Sequence, residues 1–302
     1  MNRDLEKLAA RAAPAVFVVL WSSGFIGTKY ALSGAEPLTF LTIRMVYVCV
    51  LLAVIVAVLR PAWPRGVDIG HSIVAGLLVH GFYLAGVSIG IYHSVPAGLS
   101  ALIPGLQPIL TSTLANRWLG ERVTLLQWAG LVLGLSGVLL VLHTRSMTGD
   151  IGWGWFATGV ALVSITIGTL YQKRYCSRID WRTGNFVQFT ACGVMYAIGA
   201  LLFETREVTW SKEFILGVSW LVVALSIGSI SVLYWLIRRA AATQVASLFY
   251  LVPATTALMA YVLFDERLDW LGIVGMAICA AGVFLVNKPA SKPEKTEVSP
   301  GS

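Results

Sequence analysis

The chain has 302 residues, of which 57% are hydrophobic and 12% charged, about half the charged share of an ordinary soluble domain. This composition excludes a water-soluble globular protein, and the short polar connections leave no room for a soluble nucleotide-binding domain. A formal net charge of +7 suggests nucleic acid, but the positions of the charges exclude it.

Ten apolar runs stand at 14–34, 38–59, 68–92, 95–118, 123–143, 151–173, 184–204, 214–237, 243–264 and 268–287. About 20 apolar residues suffice for a helix to cross a hydrocarbon core. The expected fold class is therefore an all-α membrane protein with ten transmembrane helices. With the N-terminus in the cytoplasm, 16 of the 22 Lys and Arg fall on inner segments. Arg145, Arg206, Lys212 and Arg267 fall outside, and Lys29 and Arg44 fall within spans. This asymmetry places both termini in the cytoplasm and accounts for the basic balance through topology and anionic lipid headgroups.

The first span follows a short cytoplasmic segment (1–13) and carries Trp21-Ser22-Ser23-Gly24-Phe25, then Lys29 near its outer end. Small residues at 31–35 resemble a signal-peptide cleavage site, but the run is long and nine more spans follow, so it reads as retained. The second span starts after Glu36-Pro37 and carries Arg44 at a depth similar to Lys29. Ionisable residues inside spans are costly and face a cavity or a partner. Two readings stand for this basic pair. Either Lys29 reaches the headgroups or Glu36 while Arg44 ties down helix ends, or both bind the anionic group of a substrate.

In the third span His80 and Tyr83 lie three residues apart, hence on one helix face. His80 reads either as a proton carrier or as a hydrogen-bonded packing residue. No Asp or Glu falls in the middle of any span, so no carboxylate relay is visible. The fourth span holds Pro104, Gln107 and Pro108, and the ninth holds Pro253 and Thr255. Mid-span prolines free backbone groups that only protein or a wet cavity receives, so these kinks mark either a central cavity or simple packing. The fifth and tenth spans bring Gly130, Gly134, Gly137 and Gly272, Gly275, Gly282, spacings that let helix backbones approach. Thr166, Thr169, Tyr171, Gln172 and Tyr234 are lesser polar candidates. The four cysteines show no metal or disulfide spacing, and no cofactor is expected. The tail, 288–302, reads as disordered.

A shift of 145 residues sets Pro108, Glu121-Arg122, Gly130 and Gly137 on Pro253, Glu266-Arg267, Gly275 and Gly282, with 14 identities between 97–141 and 242–286. The chain is thus expected to hold two repeats, 14–143 and 151–287, of five helices each. Five is odd, so the repeats are inverted in the membrane, an arrangement that places a site between two halves near the midplane. Arg44 has Gln188 as its counterpart, so the buried basic pair belongs to the outer half alone.

The sequence resembles the EamA group of the drug/metabolite transporter superfamily over nearly all of 14–287. The resemblance rests on Trp21-Ser22-Ser23-Gly24-Phe25, on Glu36-Pro37-Leu38-Thr39-Phe40 leading to Arg44, and on the two Pro, Glu and Gly stretches. It implies a ten-helix carrier with both ends cytoplasmic, a cavity between inverted halves, alternating access, and export of amino acids or related metabolites. The expected function is a secondary transporter in the cytoplasmic (inner) membrane that moves a small anionic or zwitterionic metabolite outward. Lys29 and Arg44 would hold the anionic group, and Trp21, His80, Tyr83 and Gln107 would line the cavity beside kinks at Pro104, Pro108 and Pro253. The expected partners are the substrate, the bilayer and a coupling proton or counter-substrate. The alternative is uptake or exchange of a sulfonate, dicarboxylate or phosphate ester. An intramembrane enzyme lacks a visible acid–base pair at depth, and a channel lacks a filter segment.

Overall fold

The computed structural model describes residues 3–93, 102–143, 152–264 and 270–288, and among these nearly all are helical. In chain order the helices are α1 (Arg3–Ala31), α2 (Pro37–Leu59), α3 (Val67–Tyr92), α4 (Leu102–Leu119), α5 (Leu125–His143), α6 (Trp153–Tyr175), α7 (Trp181–Phe203), α8 (Lys212–Arg239), α9 (Ala242–Leu263) and α10 (Trp270–Asn287). Eight of the described helices are long and apolar enough to span a membrane, and α5 contributes a shorter apolar stretch, Leu125–Leu140. The chain is therefore a multi-pass membrane protein. The expected tail beyond Lys288 and the Glu266-Arg267 pair lie outside the described residues.

Local chemistry shifts some boundaries from the apolar runs. α1 begins at Arg3, because residues 5–13 are mostly good helix formers that carry the helix beyond the apolar segment. α7 begins at Trp181, where Asp180 takes the N-cap and its carboxylate accepts the Arg182 N–H at 2.9 Å. The same carboxylate pairs with the Arg182 guanidinium at 2.7 Å. Pro37 opens α2, where its missing N–H costs nothing.

Two helix pairs illustrate how glycines admit close packing. In α5 and α10, a Cβ on Gly282 would stand 2.5 Å from the Gly134 nitrogen and 2.7 Å from the Gly130 oxygen. A Cβ on Gly137 would stand 2.7 Å from the Gly275 oxygen. The register therefore pairs 130 with 282 and 137 with 275, which is antiparallel packing. Gly272 differs from its neighbours in having nothing within 4 Å of a built Cβ. In the second pair, α2 runs antiparallel to α7, with Leu38 against Gly199 and Met45 against Gly193.

Two carboxylates interlock one end of that pair. Glu204, just past α7, accepts the N–H groups of Leu38 and Thr39 and the Thr39 hydroxyl, all at 2.7 Å, and so caps the start of α2. Glu36 accepts the Thr205 N–H at 2.7 Å and its hydroxyl at 2.6 Å. The Thr209 N–H donates to the Gly34 carbonyl at 2.7 Å beside the isolated Ala35–Val208 bridge. The α1–α2 and α7–α8 connections are thus tied together.

Two outcomes follow. Gly282→Ala should lower stability by roughly 1–3 kcal/mol, because backbone rather than a flexible side chain must yield, whereas Gly272→Ala should raise it by about 0.8 kcal/mol through helix propensity; thermal melting in detergent reads both. The Thr205 hydroxyl holds the Glu36 carboxyl below its ordinary pKa. Its contribution is full above the unfolded value of about 4.3 and is lost as pH falls through the lower folded value. The stability gap between the parent and Glu36→Gln should therefore close on acidification, and melting curves from neutral pH to below this range test it.

Candidate functional site

α1, α2, α3 and α8 converge on a buried cavity of about 40 Å³, lined by Trp21, Thr28, Arg44, His80, Tyr83 and Ile230 among others. That volume admits about one or two waters. In this conformation the site is closed around its polar groups.

Two π-helical turns build its polar wall, Leu77–Phe82 in α3 and Leu221–Ser229 in α8. Such turns leave the regular hydrogen-bond ladder and recur at functional sites. In α3 the Tyr196 hydroxyl, from α7, lies 2.5 Å from the His80 carbonyl and 2.7 Å from that of Gly81, sharing its hydrogen between them. The α8 turn presents Ser226. Arg44 is only 3% exposed, and its Nε and Nη2 donate to the Ser226 hydroxyl at 3.1 and 3.0 Å. Among the described residues no carboxylate pairs with this guanidinium. A buried cation bonded to one neutral hydroxyl is incompletely satisfied.

His80 stacks on Phe189 with ring centroids 4.3 Å apart, and its Nε2 lies 3.2 Å from the Tyr234 hydroxyl. Tyr234 donates to Gln188 Oε1 at 2.7 Å, and Gln188 Nε2 donates to Gln172 Oε1 at 3.2 Å. The tyrosine hydrogen is committed to Gln188, so its oxygen accepts from His80, which assigns a proton to Nε2. Trp21 forms the opposite wall, stacked on Tyr83 at 5.9 Å with Phe249 of α9 edge-on at 5.2 Å.

Of the residues singled out in the sequence, the structure brings Trp21, Arg44, His80 and Tyr83 together around one cavity. Lys29 is exposed, and its neighbour Thr28 lines the cavity. Gln107 is fully buried in α4, where Nε2 donates to Thr169 Oγ1 at 3.3 Å and Oε1 has no protein partner. It does not line this cavity. Pro108 and Pro253 are buried in α4 and α9 away from the lining, and the side chain of Pro104 lies outside the described residues. Pro253 follows a 3-10 turn, Leu248–Tyr250, and α1 is tied to this region by Ser22 Oγ donating to the Val252 carbonyl at 3.3 Å. Ser226 and Tyr196 were not singled out; a serine within an apolar run is the only sign of the first.

At the end of the molecule where α6 finishes, Lys173 pairs with Glu121 at 2.7 Å and donates to the Ala240 carbonyl at 2.6 Å. The Glu121 carboxylate also accepts the Ala242 N–H at 2.9 Å. One carboxylate thus ties the α4–α5 connection to α6 and to the first turn of α9.

The model of the EamA-like transporter family matches residues 13–143 and again residues 152–288. The uncharacterized transporter YvbV of Bacillus subtilis is 28% identical, with 97% of this chain and 96% of that protein covered. A protein of Streptantibioticus cattleyicolor named as a probable terminal-alkyne amino-acid exporter is also 28% identical, covering 94% and 95%. A crystal structure of another protein matches with a TM-score of 0.74 at 20% identity, over 92% of this chain and 96% of the other, a likeness of fold. On the strength of two matches that together span almost the whole chain, the protein belongs to the EamA-like transporter family.

Proposed function

We propose that the chain is a secondary carrier that exports a small metabolite with a carboxylate, an amino acid or a close relative, across the cytoplasmic membrane. The observation that carries this reading is Arg44, a buried guanidinium whose bonded partner is a single hydroxyl. A bound carboxylate would supply the counter-charge that the protein does not. Trp21 and Tyr83 would pack the rest of the substrate, and the His80 ring closes the wall. Family membership and the amino-acid exporter among the relatives support the same direction of reading.

In this proposal the ten helices form two inverted halves, residues 14–143 and 151–287, with both termini cytoplasmic. The family model matches once in each half. The 145-residue shift turns the Gly130–Gly282 contact into the contact between Gly275 and Gly137, the reciprocity expected across a twofold axis. The π turns of α3 and α8 also fall at equivalent places. The cavity is smaller than an amino acid, so binding requires the halves to part, as alternating access demands.

A thermal-shift screen of purified protein against amino acids tests the site. A ligand at 100 times its dissociation constant should stabilise the parent by about 2.7 kcal/mol. Arg44→Gln keeps a hydrogen-bond donor for Ser226 but no charge; it should fold and lose the shift, while Lys29→Ala should keep it. Equal shifts in the parent and Arg44→Gln would overturn the assignment.

A further inference from the structure

A hollow of ligand size that adjoins the buried site lies elsewhere on α8. Toward the end of the molecule that carries Arg238 and Arg239, α1 and α8 part around a groove of about 760 Å³ lined by Ala13, Trp181, Ser231, Tyr234, Trp235 and Arg239 among others. That volume lies within the usual range for small-molecule sites. Another groove, of about 680 Å³ between α1, α8 and α9, has Ser23, Tyr30 and Trp220 as its polar groups, and Trp220 Nε1 donates to Ser23 at 2.8 Å. It suits acyl chains. The first groove differs in its chemistry. Arg239 lies over the Trp235 ring at 4.3 Å, and Arg238 donates to the Ile179 carbonyl, so two guanidinium groups are held at its rim.

Tyr234 stands between this groove and the central cavity. Tyr234 is among the residues that line the groove, while its hydroxyl touches His80, which lines the cavity. Ile230, one turn earlier in α8, lines the cavity, and Ser231 lines the groove. At this end α4, α6 and α9 are held together by Glu121 with Lys173 and the Ala242 N–H.

We propose that the groove between α1 and α8 is the loading vestibule for an amphiphilic organic anion, and that Tyr234 is the door from it to Arg44. The inference rests on the carrier reading above and adds to it the route and the charge of what enters. The arginines draw the anionic group, the indoles of Trp181 and Trp235 receive apolar parts, and rotation of Tyr234 away from His80 and Gln188 joins the two spaces. Phospholipid lodged in the groove is the opposing possibility.

The test is thiol labelling of the full chain in lipid nanodiscs, with the parent's own four cysteines setting the background. Rates for sulfonatoethyl (anionic) and trimethylammoniumethyl (cationic) methanethiosulfonate are each divided by the reagent's rate with free 2-mercaptoethanol. Ser231→Cys should react, with a preference for the anion that shrinks in Arg239→Gln, while Val223→Cys, exposed on the same helix away from the groove, should not. Ile230→Cys should react slowly, and adding Tyr234→Ala should speed it about tenfold, the equivalent of about 1.4 kcal/mol, with Tyr234→Phe in between and Ser231→Cys unchanged. An unreactive Ser231→Cys means that lipid fills the groove, and a preference for the cation means that anions are not drawn there; either result overturns the vestibule. An Ile230→Cys rate indifferent to both Tyr234 variants overturns the door. Labelling needs no transported compound, so these results stand apart from whether Arg44 binds a carboxylate.

Discussion

The desolvated guanidinium of Arg44 is the constraint around which the centre of the molecule is arranged. A charge in a transmembrane segment costs several kcal/mol unless neighbours replace its water. Ser226 replaces part of it with one hydroxyl that receives two N–H groups. That hydroxyl stands within the π turn of α8, whose Leu221 and Val222 are buried in the apolar packing. In the facing π turn of α3, the carbonyls of His80 and Gly81 accept from Tyr196 of α7. Aromatic rings then exclude lipid from the polar groups. Trp21 packs on Tyr83 and Phe249, and Phe189 covers the His80 ring.

Some of this was legible in the sequence for simple reasons. Arg44 sits too deep in an apolar run for its charge to be incidental, and His80 and Tyr83, three apart, do share a face and a cavity. The glycines of the fifth and tenth spans meet backbone to backbone, as their spacing suggests. What was not legible depends on rotation and on distant partners. Successive helical residues differ by about 100° in direction, so nothing in the sequence says that Thr28 faces the cavity while Lys29 is exposed. Ser226 lies four residues from the buried Val222 and Ile230, so the helical period gives its face but not its partner on α2. Glu204 looks like an ordinary carboxylate at a span end, yet its donors lie on Leu38 and Thr39, more than a hundred residues earlier in the chain. Gly272 shows the reverse, a glycine in the right pattern with open space before it.

The framework and the site obey different rules. Along the packed pair α5 with α10, equivalent small residues can serve equivalent roles, because close backbone approach needs only the absence of a side chain. The polar centre cannot be equivalent in the same way. Two arginines placed symmetrically across one small cavity would repel each other, and each would lack a counter-charge. The counterpart of Arg44 is instead Gln188, a neutral amide satisfied by Tyr234 and Gln172. In the proposed two-half arrangement, the first half carries the unmet charge, and a satisfied chain of hydrogen bonds crosses from His80 to Tyr234, Gln188 and Gln172 of the second. Under the carrier reading this division has a mechanical consequence. An anion that neutralises Arg44 draws on the half that holds α1, α2 and α3, whereas the contacts that must break to admit it, Tyr234 with His80 and Arg44 with Ser226, cross to α8 in the other half. Binding energy gained on one side of the interface is thus positioned to loosen the interface itself, which is what a carrier that rocks about a fixed site requires.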